Sequence, residues 1–233
     1  MKEKSAVEEF LSAHGWLSFT SPEFRAAVLA RIDLREIGKG EAVYRAGDPP
    51  GGLWALIEGA IEIESAPHGI APHLMHFAVP GIWFGEAPLI AGVTRLVSVN
   101  TCRPSTLATL SLPACREILE ADPGGWRWIA LLSLMTSDLA GGVVADLMLR
   151  DPVKRTAALL LRLAGVRSKA FPATRPAPIY LSQEKIGSLV NLSRNSIIPV
   201  LHEFAQSGLI EIGYGEIRVS NIAGLSDRIS RDS

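Results

Sequence analysis

Two short helices joined by a tight turn are predicted between residues 182 and 204, where the residue types suit contact with a nucleic acid. Ser182 and Ser193 are N-cap candidates, because a serine oxygen accepts a hydrogen bond from an amide of the first helical turn. Gly187 is small enough for two helices to cross closely, and Asn191 tolerates the positive φ of a tight turn. Apolar residues follow at the spacing of a small helical core, namely Ile186, Val190, Leu192, Ile197 and Val200.

The second of these helices begins with side chains that match the chemistry of the DNA major groove. Arg194 suits the acceptors of guanine, Asn195 suits adenine, and the serine hydroxyls suit phosphate or a base edge. The predicted DNA-contacting residues are Gln183, Lys185, Ser193, Arg194, Asn195 and Ser196. A helical hairpin inside a core would share the apolar spacing, but it would not need two serine caps or the glycine-rich hairpin that follows over residues 208–219. We interpret the segment as a winged helix–turn–helix that binds double-stranded DNA.

Charge is segregated along the chain, although the 233 residues together have a formal net charge of only −1. Residues 1–149 contain 11 basic and 17 acidic side chains, whereas residues 150–233 contain 12 basic and 7 acidic side chains. A positive C-terminal third suits a polyanionic partner, which agrees with DNA binding.

The elements that position these residues fall into three predicted domains. Short helices precede many short β-rich runs over residues 37–112, separated by Gly and Pro clusters, which predicts an antiparallel barrel or sandwich. Residues 61–64 alternate apolar and acidic side chains, so we expect the acidic face to be wet. Pro123 opens a long helix, and Pro152 marks a break after it. The predicted domains are residues 1–122, 123–150 and 151–233.

The long helix is apolar on more than one side, so it must bury one face on its own domain and another elsewhere. A parallel pairing with a second copy of the chain would bury the second face. The predicted dimer-interface residues are Leu132, Met135, Leu139 and Val143. The helix also has nearly the length of a membrane span, but Asp138 and Asp146 lie inside it, and two carboxylates make insertion unfavourable. We therefore expect a soluble helix and no membrane partner.

Together these segments resemble the CRP/FNR family of bacterial transcription regulators, named after the cyclic-AMP receptor protein and the fumarate–nitrate reduction regulator. The resemblance covers nearly the whole chain and is carried by residues 181–187 and 192–196, Gly47-Asp48, Glu58-Gly59 and Phe84-Gly85-Glu86. It implies an α+β fold with an N-terminal β-roll of the cyclic-nucleotide-binding type, a long dimerisation helix and a C-terminal winged helix–turn–helix. It also implies a homodimer on a palindromic operator, with RNA polymerase as a candidate partner.

The chain departs from the family pattern in its sensor segment. In relatives that bind cyclic nucleotides, Phe-Gly-Glu and a later Arg followed by Ser or Thr hold the phosphate and the ribose. Gly85, Glu86 and Arg95 match and are the predicted ligand-binding residues, but Leu96 replaces the hydroxyl residue. Residues 140–141 are Ala and Gly where hydroxyls would meet the purine. Because an unpaired buried polar group costs about 1–3 kcal/mol, cyclic AMP is the disfavoured effector. An internal Glu86–Arg95 ion pair is the alternative role of these residues.

Pro199 is a second departure, because the family pattern has a donor side chain, often Arg, at this point of the recognition helix. Proline lacks an N–H, so the bond to the carbonyl of Asn195 should be lost and the helix should bend or tighten. Base readout would then depend more on Arg194, Asn195 and Ser196.

Few other residues are candidates for a metal, cofactor or catalytic site. Cys102 and Cys115 are too few for a [4Fe–4S] cluster, which four thiolates hold. His68, His73 and His76 are candidates for metal or haem ligands, but strand residues three apart point to opposite faces, so His73 and His76 would not bind one metal together, and such a role is disfavoured. We find no nucleophile–base pair, metal set or phosphate loop, so we expect neither an enzyme nor a cofactor.

The leading interpretation is a cytoplasmic, homodimeric, sequence-specific regulator of transcription whose effector is unidentified. Two alternatives stay open. One is an activator that responds to a cyclic nucleotide. The other is a regulatory subunit in which a cyclic-nucleotide-binding fold controls an attached enzyme or channel, although such a subunit has no use for a winged helix–turn–helix.

Overall fold

The computed structural model describes residues 4–66, 72–167 and 176–230. These residues form two compact units, one ending at Thr136 and the other beginning at Ser137, so the division falls inside the long helix. The predicted divisions at residues 122 and 150 treat that helix as a domain of its own. The structure differs because the first half of the helix packs in the core of the N-terminal unit, while its last turn pairs with a helix of the C-terminal unit.

The N-terminal unit is built on eight strands among its described residues. They are β1 Asp33–Ile37, β2 Ala42–Tyr44, β3 Leu53–Glu58, β4 Ile61–Ser65, β5 His73–Ala78, β6 Trp83–Phe84, β7 Ser98–Thr101 and β8 Ser105–Leu110. They form two antiparallel sheets with the orders β1-β8-β3-β6 and β2-β7-β4-β5. One apolar cluster contains residues of both sheets, including Leu56, Leu107 and Val99, and forms the interior of the roll. The predicted β-roll is confirmed.

The acidic face of β4 is less wet than its alternation suggests. Glu62 is buried, because β4 is flanked by strands on both sides and Glu62 stands between Phe77 of β5 and Asn100 of β7. Glu64 is half-buried and accepts a hydrogen bond from the side chain of Asn100 at 3.3 Å. The expectation of a wet face is therefore wrong for Glu62.

Helices cover the outer face of one sheet. They are α1 Lys4–Ala13, α2 Pro22–Leu29, α3 Ala87–Ala91, α4 Leu112–Ala121 and α5 Trp126–Leu147. The predicted cap of α2 is confirmed, since Ser21 Oγ accepts from the amide of Phe24 at 3.2 Å. The outward residues of β3 and β8 pack against these helices in a second apolar core. Within it, Trp16 Nε1 donates to the carbonyl of Trp128 at 2.5 Å, which ties the N-terminal segment to α5.

The C-terminal unit contains the second half of α5 and a compact winged domain. Its further elements are α6 Pro152–Leu163, α7 Gln183–Leu189, α8 Arg194–Gln206, β9 Ile210–Gly213, β10 Glu216–Val219 and α9 Ile222–Ser230. Asp151 Oδ1 caps α6 by accepting from the amide of Val153 at 2.7 Å. The predicted hairpin over residues 208–219 is present, and Ile179 pairs with Ile217 beside it. Helix α9, which no pattern in the sequence predicted, packs against α6.

Candidate functional site

The helix–turn–helix is assembled from α7, a turn and α8. Ser193 Oγ accepts from the amide of Ser196 at 3.2 Å, and Ser182 caps α7 through the amide of Lys185 in the same way. Asn191 in the turn has a φ of 54°. A Cβ atom on Gly187 would lie 2.8 Å from the carbonyl oxygen of Leu192, so only glycine allows this close crossing. All four local expectations are confirmed.

Helix α8 has two opposite faces. Ile197, Leu201 and Phe204 are fully buried and hold the helix in the core of the domain. The first turn is exposed at Arg194, Asn195 and Ser196, and the exposed face continues through Pro199, His202 and Gln206. The hydroxyls of Ser193 and Ser196 lie 2.8 Å apart, so each orients the other. On α7, Lys185 is exposed and Gln183 is half-buried. The structure thus brings all six predicted DNA-contacting residues to the helix–turn–helix.

Arg155 of α6 is a positioning residue that sequence reasoning missed. Its Nε donates to the carbonyl of Val190 in the turn, and its Nη1 donates to the carbonyl of Leu149 after α5, both at 2.7 Å. One guanidinium therefore joins the turn of the helix–turn–helix to the segment that follows the long helix. Its partners are 35 and 6 residues away, so the sequence contains no local signal for the role.

The far end of α8 is fixed by α9. Arg228 of α9 lies 2.8 Å from the carboxylate of Glu203, and its Nη2 donates to Ser207 Oγ at 3.3 Å. Beyond α8, the wing turns at Tyr214 and Gly215, and the Tyr214 side chain is fully exposed at its tip. An aromatic residue between two glycines in a hairpin turn was the sequence signal for this tip.

The predicted ligand residues of the sensor come together, but Arg95 is engaged by the protein itself. Its side chain is 5% exposed. Nη1 donates to the carbonyl of Gly85 at 3.1 Å, Nη2 donates to the carbonyl of Gly52 at 2.9 Å, and Cζ lies 4.2 Å from the ring centre of Tyr44. A Cβ atom on Gly85 would lie 2.6 Å from Nη1, so the glycine allows the guanidinium to pack here.

Burial dominates the electrostatics around Arg95. It lowers the pKa of Arg95, an effect opposed by Tyr44 and Asp48, and it raises the pKa of the Tyr44 hydroxyl. Arg95 and Glu86 make no ion pair within 4 Å in the described part of the chain, so the alternative of an internal pair is not borne out, and Glu86 acts on Arg95 only as a nearby charge. Arg95 instead uses carbonyl acceptors. The neighbouring Leu96 is 61% exposed and offers no hydroxyl.

The predicted dimer residues of α5 lie mostly away from its exposed face. Leu132 is 2% exposed and belongs to the core of its own unit, and Met135 packs against that core. Leu139 and Val143 are half-buried. The assignment of Leu132 to an interface is corrected, because α4 and the N-terminal helices already cover this side. The large apolar residues that stay exposed along the helix are Trp126, Leu134, Val144 and Leu147, followed by Met148.

One helical stretch among the described residues, Pro123–Leu147, is long and apolar enough to cross a membrane by length and composition. Asp146 lies in its last turn and is paired with Arg162 of α6. As for metals, the described ranges contain no group of three or more His, Cys, Asp or Glu residues that would hold an ion. His73 is exposed and His76 half-buried on β5, and His68 lies outside the described residues.

The two units together define a class of protein, a β-roll of the cyclic-nucleotide-binding type joined by a long helix to a winged helix–turn–helix. Comparison with known families gives the same two parts. The cyclic nucleotide-binding domain matches residues 34–122, and the Crp-like helix-turn-helix domain matches residues 154–228. The chain belongs to the CRP/FNR family of transcription regulators.

Curated relatives extend over almost the whole chain. A CRP-like cAMP-activated global transcriptional regulator of Mycobacterium tuberculosis is 24% identical over 97% of this chain and 99% of its own length. The HTH-type transcriptional regulator Cmr of the same species is 23% identical over 87% of this chain and 79% of its own. Among solved structures, FixK2 of Bradyrhizobium japonicum has a TM-score of 0.70 and 16% identity, covering 87% of this chain and 99% of its own.

Proposed function

We propose that the protein is a cytoplasmic, homodimeric regulator that reads a palindromic DNA site and whose effector is not cyclic AMP. The observation that carries the DNA-binding part is the two-sided character of α8. Ile197 and Leu201 are buried and fix the helix, while the first turn is exposed at Arg194 and Asn195. A recognition helix needs this combination, since its N-terminal side chains must reach the base edges of the major groove.

The exposed groups divide into those that read bases and those that position the protein. Arg194 presents two parallel N–H donors to the O6 and N7 atoms of guanine, and Asn195 presents an amide to adenine. Ser193, Ser196, Gln183 and Lys185 then contact phosphates, which fix the register on the duplex without carrying sequence information. The positive charge of the C-terminal third strengthens all of these contacts.

The exposed apolar residues of α5 support a homodimer. A helix that leaves Trp126, Leu134, Val144 and Leu147 in water has a surface that a second α5 would cover. A two-fold axis between two copies would place two recognition helices on two half-sites, which makes the operator palindromic. A regulator of this kind acts on RNA polymerase, which is the further partner we propose.

The geometry of Arg95 supports an effector other than cyclic AMP. Two of its N–H groups already bond to the carbonyls of Gly52 and Gly85, and Leu96 offers no hydroxyl for a phosphate. Effectors differ among solved structures of this fold. One is the c-di-GMP-responsive regulator CLP of Xanthomonas campestris, which has a TM-score of 0.60 and 21% identity over 85% of this chain and 99% of its own.

A cyclic-nucleotide-responsive activator is the second candidate function. Gly85, Glu86 and Arg95 are all retained, and the M. tuberculosis relative is named as cAMP-activated. Calorimetric titration of the full chain with cyclic AMP and cyclic GMP separates the two candidates. We expect no heat of binding at ligand concentrations up to the millimolar range, and saturable heat with either nucleotide would favour the second candidate.

The DNA-binding proposal is tested by selecting sequences from a random duplex library with the full-length protein. We expect an enriched inverted repeat whose half-sites lie about 34–36 Å apart, one turn of DNA. Selection without enrichment, or enrichment of a single unrepeated half-site, would contradict a dimeric regulator.

A further inference from the structure

Pro199 lies on the exposed face of α8, in the middle of the surface that meets DNA. It is the sixth residue of the helix, which continues without interruption to Gln206. It lies four positions after Asn195, so the two lie on the same side of the helix. Ile197 and Leu201, on the opposite face, are fully buried. Pro199 itself is exposed.

A proline at this position weakens the helix. The first four N–H groups of a helix have no intrahelical partner, so proline does little harm in the first turn. The amide of the sixth residue would bond to the carbonyl of Asn195, and proline lacks that amide. Because Pro199 is exposed, its ring is not part of the buried core of the domain. A local rule that is broken without compensation inside the chain is typical of a functional position.

The chemistry of the ring limits what it can recognise. Pro199 presents only CH₂ groups to the groove, with neither donor nor acceptor. The edges of guanine, adenine and cytosine in the major groove are dominated by donors and acceptors, with only a C–H at C5 of cytosine, and the C5-methyl of thymine is the one alkyl group there. A proline against any other base would remove water from polar atoms without pairing them.

We propose that Pro199 reads the methyl group of a thymine in each half-site, a specificity that rests on the proposed DNA-binding function. Four residues of helix span about 6 Å, and base pairs are spaced by about 3.4 Å. The thymine therefore lies one or two base pairs from the base that Asn195 contacts. The contact adds a shape-selective apolar element to readout by Arg194 and Asn195.

The test uses the operator obtained by selection with the full-length protein. In each half-site, every thymine is replaced in turn by deoxyuridine, which removes only the C5-methyl group. At one symmetric pair of positions we expect the wild-type protein to bind about fourfold more weakly per half-site, the factor that follows from losing the burial of one methyl group. Pro199→Ser should bind the thymine and uracil operators equally at that pair, and its Tm should not fall, since serine is the better helix former.

Two control variants separate the possible failures. Gln206→Ala, on the same exposed face but at the end of α8, should keep the thymine preference of the wild type. Arg194→Ala should lose its guanine preference and keep the thymine preference. If the wild-type protein binds uracil and thymine operators equally at every position, or if Pro199→Ser keeps the preference, the inference is overturned while the proposed function stands. If selection yields no operator, the proposed function itself fails.

Discussion

Asp146, in the last turn of α5, accepts a hydrogen bond from Nε of Arg162 in α6 at 2.9 Å, with both side chains almost completely buried. The other carboxylate oxygen lies 2.8 Å from Nη2 of Arg167, which is only partly buried. Burial lowers the pKa of Arg162, and the Asp146 carboxylate opposes this effect. A buried ion pair thus joins the end of the long helix to the winged domain.

The first prediction concerns this buried pair. Asp146→Ala should lower the free energy of unfolding of the C-terminal unit by about 3–5 kcal/mol, because it removes the carboxylate that compensates the buried charge of Arg162. Asp138→Ala, which removes an exposed carboxylate of the same helix, should cost under about 1 kcal/mol. Urea unfolding of both variants, of Arg162→Ala and of the double variant gives the coupling energy. If the loss of stability in the double variant equals the sum of the losses in Asp146→Ala and Arg162→Ala, the two side chains do not stabilise each other.

The second prediction separates base reading from phosphate contact. Arg194→Ala should lower the ratio of specific to scrambled DNA binding, at about 1–3 kcal/mol per half-site, because the bidentate guanine contact is lost. Lys185→Ala should weaken binding to all sequences alike and reduce the salt slope by about one unit per contact. Binding to the selected operator and to scrambled DNA at several salt concentrations measures both. An unchanged ratio in Arg194→Ala would mean that α8 does not read the bases.

The third prediction concerns the dimer. Leu134→Glu with Val144→Glu should give monomers in sedimentation experiments, because two charges would enter the apolar face of each α5. Ile90→Glu with Leu96→Glu is the matched control. It makes the same chemical change at two exposed apolar residues of the sensor unit, and it should leave the dimer intact. A dimer that survives the α5 changes would place the interface elsewhere.

The fourth prediction assigns Arg95 to the stability of the sensor. Arg95→Ala removes two hydrogen bonds and the cation above Tyr44, so we expect a loss of about 2–4 kcal/mol in the free energy of unfolding of the N-terminal unit. Arg116→Ala, an exposed arginine of α4, should change stability by less than about 0.5 kcal/mol. If Arg95→Ala is as stable as the wild type yet loses an effector response, Arg95 is a ligand-binding residue instead.

The fifth prediction uses the two cysteines. Burial raises the pKa of the Cys115 thiol to about 11, whereas a cysteine thiol in an unfolded chain has a pKa of about 8.5. Because the thiolate is the reactive form, iodoacetamide at pH 8 should label the half-buried Cys102 and spare Cys115 until the chain unfolds. Because the thiol ionises at a lower pH in the unfolded chain than in the folded one, the free energy of unfolding should be unaffected below about pH 8.5 and should fall as the pH rises toward 11. Peptide mass spectrometry measures the labelling, and equal rates for both thiols would contradict the burial.

The helix–turn–helix could be predicted residue by residue because its determinants are local. The cap of Ser193 on Ser196 acts across three residues, and the positive φ of Asn191 is a property of one residue in a tight turn. The close crossing at Gly187 involves Leu192, five residues later. Such signals survive in the sequence because the groups that interact are neighbours along the chain.

The parts that could not be predicted depend on tertiary packing. Arg95 is predicted from the sequence as a ligand-binding residue, but its acceptors at Gly85 and Gly52 are 10 and 43 residues away, and spacing along the chain does not reveal these hydrogen bonds. On α5, periodicity finds an apolar stripe, but Leu132 and Leu134 differ by only two residues. Which of them is buried depends on the helices that pack against the first half of α5.

The tip of the wing also makes the protein convenient to probe. Of the three tyrosines in the chain, Tyr44 is buried and Tyr180 is half-buried, while Tyr214 stands fully in solvent. Mild nitration or iodination should therefore modify Tyr214 first and mark the wing at a single site. If operator DNA protects the ring from modification, and the same buffer without DNA does not, the wing lies close to the duplex in the complex.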